Sequence, residues 1–218
     1  MFITFEGTEG SGKSLQARLL VERLRQRGIG TLLTHEPGGT PLGGELRQLL
    51  LTRSELALAP RAEALLMNAS RAQLVDDVIR PALQREEVVV CDRFADSTRV
   101  YQGALGKVDG KLIRGLERVT VGAAMPDLTF VLDVPASVGL ARATRRRGSG
   151  PADRYESETV EFHENLRTAY RVLSEEEPNR IVVIDGRPPR DVVAARIWEI
   201  VCERLSAGNA LLPEGAAS

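Results

Sequence analysis

Gly7-Thr8-Glu9-Gly10-Ser11-Gly12-Lys13-Ser14 fits the pattern G-x-x-x-x-G-K-[ST] and lies between an apolar pentapeptide and an amphipathic stretch. Nothing else in the chain constrains its fold as much. The glycines let the backbone curl until successive N–H groups face inward at phosphate oxygens. The loop works only between a strand that delivers it and a helix whose positive N-terminal end it opens. Both flanks are present. Phe2 to Glu6 reads as a strand, and Ser14 to Arg27 sets Leu15, Leu19, Leu20 and Leu24 at helical spacing before Gly28 closes it. Chance gives such a match in on the order of one chain in a hundred of this length, and the flanks make chance a poor account. Lys13, Lys107 and Lys111 are the only lysines in a chain otherwise rich in arginine, so the loop lysine is no compositional habit. The expectation is a triphosphate cradle from Gly7 to Ser14, with Lys13 reaching the β- and γ-phosphates and the Ser14 hydroxyl ligating Mg²⁺.

The rest of the chain alternates in the same way. Thr31 to His35, Val88 to Cys91, Leu128 to Val134 and Ile181 to Ile184 read as further strands. Leu42 to Leu51, Pro60 to Arg85 and Asp109 to Gly122 read as helices, with others starting near Pro135, Ser157 and Pro189. Glu36-Pro37-Gly38-Gly39-Thr40 is a loop on turn chemistry. Apolar strands separated by helices predict a parallel α/β sheet, buried on both faces, with right-handed crossovers. No linker or repeat divides the 218 residues, so 1–206 is expected to be one domain and 207–218, small and polar, a flexible tail. A net charge of -1 gives no whole-chain pull toward nucleic acid or an anionic membrane. Cys91 and Cys202 form no metal-binding pair and read as reduced thiols. The first residues lack a signal-peptide pattern, and no run approaches the roughly 18 apolar residues of a membrane span. A cytoplasmic protein is expected.

Three chemistries use such a loop: GTP switches, water-activating ATPases and small-molecule kinases. A guanine-reading N-K-x-D is absent from the sequence. An ATPase wants a carboxylate after the metal-binding acid, but here Val88-Val89-Val90-Cys91-Asp92 runs into Arg93. Asp92 can serve the metal or its waters, whereas Arg93 accepts no proton and suits an anionic second substrate. A second basic cluster, Arg142, Arg145, Arg146 and Arg147, precedes Gly148-Ser149-Gly150, Arg154 and Glu156. Arg142 and Arg146 share a helix face. Arginines on a segment that closes over ATP, here about 142–156, neutralise charge on a phosphoryl group in transfer.

These residues resemble those of bacterial thymidylate kinase (dTMP kinase) from about Phe2 to Asp185. The resemblance rests on Glu6 to Ser14, Glu36 to Thr40, Asp92-Arg93-Phe94 with Ser97 and Tyr101-Gln102-Gly103, Pro126 to Thr129, Leu132 to Val134, and Asp153-Arg154-Tyr155-Glu156. It implies a P-loop NTPase fold, three-layer α/β/α with a five-stranded parallel sheet. It also implies transfer of the γ-phosphoryl of ATP to dTMP with Mg²⁺, and a homodimer. The resemblance gives Glu9 the 3′-hydroxyl of dTMP, Arg47 and Arg93 its phosphate, and Arg71 its base. It sets Glu36 and Pro37 in the same site and has Thr98 and Gln102 read the thymine edge. Tyr101 crowds the 2′ position. Asp92 is the acid near the metal and Arg142 the residue near adenine. Arg147 aligns best with the catalytic arginine, and one extra residue makes Arg146 the alternative. Relatives with an arginine inside the loop lack lid arginines; here the loop has Gly10 and the lid is arginine-rich.

Two positions depart from the family. Met67 stands where relatives carry an aromatic stacker, and its sulfur packs on a ring less rigidly. His35 stands where relatives often carry arginine. His35 and His163 are expected to be solvated or hydrogen-bonded, not catalytic. The apolar helix from Ala62 to Leu83 fits either a dimer surface or core burial. A kinase for UMP or dUMP and a non-catalytic ATP sensor are the rival readings.

Overall fold

The computed structural model describes residues 1–51, 57–150 and 152–207. Strands β1 (Phe2–Glu6), β2 (Thr31–His35), β3 (Val88–Asp92), β4 (Leu128–Asp133) and β5 (Ile181–Asp185) form one sheet in the order β2-β3-β1-β4-β5. Every pairing is parallel. The register sets Phe5 beside Asp92 and Glu6 beside Val131, so the phosphate loop leaves the sheet between the ends of β3 and β4. The chain leaves β1 toward β2 and leaves β4 toward β5, in opposite directions. A crevice opens above the carboxyl ends of such strands.

Successive β1 residues face opposite layers. Ile3 and Phe5 join α1 (Lys13–Gln26) and the last helix, α9 (Arg190–Ala207), in one core with Leu20, Leu24 and Trp198. Phe2 packs on the other face with Leu74, Ile79 and Phe94. The central strands are buried almost throughout, but the edge strands β2 and β5 are only partly covered. Burial on both faces, expected for every strand, therefore holds for β1, β3 and β4.

The remaining helices are α2 (Pro41–Leu51), α3 (Pro60–Leu74), α4 (Arg80–Gln84), α5 (Ala95–Thr98), α6 (Gly110–Thr120), α7 (Ala136–Arg147) and α8 (Val160–Glu176). The helix expected from Pro60 to Arg85 is present, but a π-helical turn at Val75–Ile79 divides α3 from α4. Pro81 accounts for it: proline has no N–H and crowds the carbonyl four residues back, which a wider turn relieves. No element is expected from the sequence at residues 94–105. They form α5 and a π-helical segment, Arg99–Leu105. The stretch does bury Phe94, Ala95, Val100 and Tyr101, but these are few and are interrupted by Asp96-Ser97-Thr98-Arg99, which hides the helix in the sequence. No helix among the described residues is long and apolar enough to cross a membrane. Of the expected tail, 208–218 lies outside the described residues, as does position 151 of the expected lid.

Candidate active site

The phosphate loop rests on α7. A Cβ built on Gly10, at φ 68, would stand 1.9 Å from the Gly139 carbonyl oxygen, and one on Gly139 would stand 2.4 Å from that of Glu9. Backbone touches backbone there, and only glycine fits both sides. Inside the loop, Lys13 Nζ donates to the carbonyls of Gly7 (3.1 Å) and Thr8 (2.8 Å). Burial, helped by Arg93 and opposed by Glu9, Asp92 and Glu6, lowers its pKa to about 8. The Ser14 hydroxyl donates to Asp92 Oδ2. Asp92 Oδ1 is buried with no hydrogen-bond partner among the described residues. A hydroxyl and a carboxylate with an unused oxygen, beside a phosphate cradle, fit a hard divalent cation that keeps most of its waters.

Residues Glu9 to Ser14 line a wide cleft together with Asp92, Arg142 and Arg146. Arg142 donates to the carbonyls of Gly186 (2.8 Å) and Arg187 (3.3 Å), which holds it at the cleft's far wall. The expected lid arginines part company. Arg146 and Arg147 both bind Glu156, at 2.9 and 2.7 Å, but Arg146 lies on the cleft wall and is 61% exposed. Arg147 is more covered and does not line that wall. Gly7 and Thr8, expected in the cradle, do not line this cleft; their carbonyls hold Lys13.

A second cavity adjoins the first. Glu9, Glu36, Pro37, Arg47, Met67, Arg71, Arg93, Thr98, Tyr101 and Gln102, all expected around the acceptor, line it together. Arg93 lies partly buried at the join, with its backbone at φ 67. It pairs with Glu9, donates to the Gly7 carbonyl (3.2 Å) and lies 5.2 Å from the centre of the Tyr101 ring. Burial pushes the Glu9 carboxyl up, but Arg93, Lys13, His163 and Arg146 outweigh it and bring the pKa down to about 2. Tyr101 Oη donates to the same carboxylate at 3.4 Å.

Arg71 forms the inner wall. It is buried against Glu36 at 2.7 Å and donates to Asn68 (3.2 Å), the Phe94 carbonyl (3.1 Å) and Thr98 Oγ1 (3.0 Å). Burial raises the Glu36 pKa to about 7 against the pull of Arg71, with Glu6 adding to the rise. Arg47 is held near the mouth by the Pro37 carbonyl at 2.9 Å. Met67 and Phe94 give the cavity apolar surface.

Other contributors show in the sequence only as part of the family likeness (Glu6, Asp153, Tyr155) or, for Glu63, not at all. Glu6, fully buried, accepts from the backbone of Phe94 (2.8 Å) and Ser97 (3.2 Å), the Ser97 hydroxyl (2.6 Å) and Tyr170 (2.9 Å). It thereby caps α5 and fixes the turn that carries Arg93. Glu63, Asp153 and Tyr155 also stand at the second cavity or its wall. His163 is buried, with Nε2 3.1 Å from the Tyr155 carbonyl, which agrees with a hydrogen-bonded role. His35 lies on the wide cleft near Arg47 and Asp92.

A strand-loop-helix cradle at the switch of a five-stranded parallel sheet defines a P-loop NTPase, here with a cationic second cavity against the loop. The model of the thymidylate kinase family matches residues 5–197. The chain is 50% identical over 204 residues to a thymidylate kinase of Bradyrhizobium diazoefficiens, covering 94% of this chain and 90% of that one. It is 51% identical to a thymidylate kinase of Afipia carboxidovorans over 205 residues, again 94% and 90%. A crystal structure of thymidylate kinase from Ehrlichia chaffeensis superposes with a TM-score of 0.73 at 32% identity, over 92% of this chain and 98% of that one. The chain belongs to the thymidylate kinase family.

Proposed function

We infer that this chain transfers the γ-phosphoryl group of ATP to dTMP, giving dTDP and ADP. The observation that carries the reading is the place of Glu9. It belongs to the phosphate loop, yet lines both cavities and pairs with Arg93 across their join. A triphosphate on the loop and a nucleotide in the second cavity would bring their phosphates face to face. Such neighbours repel, and cations on both sides offset the repulsion.

No side-chain base is needed, because the acceptor phosphate oxygen is already anionic at neutral pH. The work is positioning and charge neutralisation. Lys13 leaves the loop carbonyls for the β- and γ-phosphates. Arg93 and Arg47 hold the acceptor phosphate, Glu9 orients the sugar, and Tyr101 crowds the 2′ position. Arg71 has one N–H on Nη1 without a partner among the described residues, a donor for a base carbonyl. Arg146, on the cleft wall, is the better placed of the two lid arginines to reach the transferring group, and Arg142 stands where adenine would lie. Ser14 and Asp92 would hold Mg²⁺, which when bound neutralises charge on the β- and γ-oxygens.

We read 1–206 as one catalytic domain whose lid, about 142–156, closes over ATP. We place it in the cytoplasm as a homodimer, with the exposed Leu65 on α3 at the subunit contact. A coupled ADP-release assay with dTMP, dUMP, UMP and CMP tests the reaction. Preference for dTMP is expected; preference for UMP, or ATP binding with no ADP formed on dTMP, would overturn it. Light scattering should give twice the mass of one chain.

A further inference from the structure

Gln102 carries a donor and an acceptor on one amide, and the way it is turned decides which of them meets a base. The protein fixes the turn. Nε2 donates to Glu63 Oε1 at 2.9 Å and to Tyr155 Oη at 3.3 Å, so both amide hydrogens are engaged. Glu63 lies in the first turn of α3 and is buried. It also accepts from the Tyr155 hydroxyl and pairs with Arg154 Nη1 at 3.0 Å. Burial raises the Glu63 pKa, while Arg154 and Gln102 draw it back. Three donors gathered on one carboxyl group fit its ionised form, which only accepts. A reversed amide would set the Gln102 oxygen against a carboxylate oxygen. What remains is Gln102 Oε1, which has no hydrogen-bond partner among the described residues, on a side chain that lines the acceptor cavity.

We propose that Glu63 is a positioning residue for base choice: it holds the Gln102 amide so that its oxygen, not its nitrogen, meets the acceptor base. An oxygen there accepts the N3–H of thymine or uracil. Against cytosine it meets the N3 lone pair, and two acceptors face each other with no proton between them. The unused Arg71 N–H complements this, since it offers a donor to the neighbouring O4 of thymine where cytosine carries an amino group. The pair of signals, one acceptor and one donor, selects the keto pyrimidine. The inference rests on the reading that this cavity takes dTMP.

The test compares kcat/KM for dTMP and dCMP in the full-length protein. Wild-type turnover of dTMP reports first on the reaction itself, so failure of that reading is seen before any variant is made. Glu63→Gln removes the fixed acceptor, since an amide at 63 can offer either end to Gln102. The dTMP-to-dCMP ratio should then fall by about ten-fold or more, chiefly through KM. In a Gln102→Ala background the same change should leave the ratio where Gln102→Ala alone puts it, because Glu63 acts only through Gln102. A Glu63→Gln enzyme that loses activity on both nucleotides but keeps the wild-type ratio would overturn the proposal. So would a further loss of ratio in the Gln102→Ala background. Should Glu63→Gln lack a cooperative melting transition, wild type against Gln102→Ala decides. An unchanged ratio between those two sinks the proposal. Given a collapsed ratio, Glu63→Asp, which keeps an acceptor-only carboxylate but withdraws it from Gln102, must also lower the ratio, and a wild-type ratio in that variant overturns it.

Discussion

Lys13 is almost completely buried, yet its charge is what the donor site needs. With its pKa lowered to about 8 in the free protein, the ammonium loses its proton as pH rises through that value. Bound phosphates restore the charged form, because opposite charges nearby favour it. The limb should therefore appear in kcat/KM for ATP above pH 8 and only later in kcat. A kcat/KM profile flat to about pH 10, the range of an ordinary lysine, would contradict this. Lys13→Ala should lower kcat by about 100-fold or more, the scale of losing a charge stabiliser. The lid arginines allow a sharper comparison. Arg146 lines the cleft, whereas Arg147 is more covered against Glu156. Arg146→Ala should depress kcat by on the order of 100-fold, well beyond Arg147→Ala. Equal losses would mean that the lid rearranges before chemistry.

At the scale of elements, α5 and its π-helical continuation supply Ser97, Thr98, Tyr101 and Gln102 to the acceptor wall. They depend on Glu6, which lies outside both cavities. Replacing it with alanine strands the Phe94 N–H in the interior and removes a carboxylate that also accepts from the Ser97 backbone, the Ser97 hydroxyl and Tyr170. Denaturant titration should show a loss of about 3 kcal/mol or more, and KM for dTMP should rise as Arg93 loses its fixed turn. This element also marks where the sequence stopped being legible. The five strands and the long helices were visible because apolar periodicity reports burial against a sheet. The phosphate loop was visible because its backbone geometry demands glycine at fixed spacing. Asp92-Arg93, Ser97 and Tyr101-Gln102 could be picked out by family likeness, but not the short helix that follows Arg93, whose few buried apolar residues are interrupted by Asp96-Ser97-Thr98-Arg99. Glu63 was invisible for a different reason: an acid in the first turn of a helix reads as a favourable partner for the helix dipole. Only the fold brings it to Gln102 and Tyr155.

For the whole molecule, the two cavities share a wall, so occupying either should tighten the same body. At about 100 times its dissociation constant, dTMP should stabilise the fold by about 2.7 kcal/mol, read as a rise in melting temperature. A nucleotide that leaves the melting temperature unmoved at that excess does not bind the folded state. The contact between Gly10 and Gly139 adds a mechanical consequence. It anchors α7 to the phosphate loop near the helix's first turn and leaves the C-terminal end, with its arginines, beyond the point of contact. Arg146 lies seven residues further along, roughly 10 Å at the rise of an α-helix. A rocking of about 10° over that span carries its Cα about 2 Å while the loop stays seated. With such a rocking the glycine pair would be the fulcrum: the end seated on the phosphate loop would stay, and the far end would carry a charge toward the cleft or away from it.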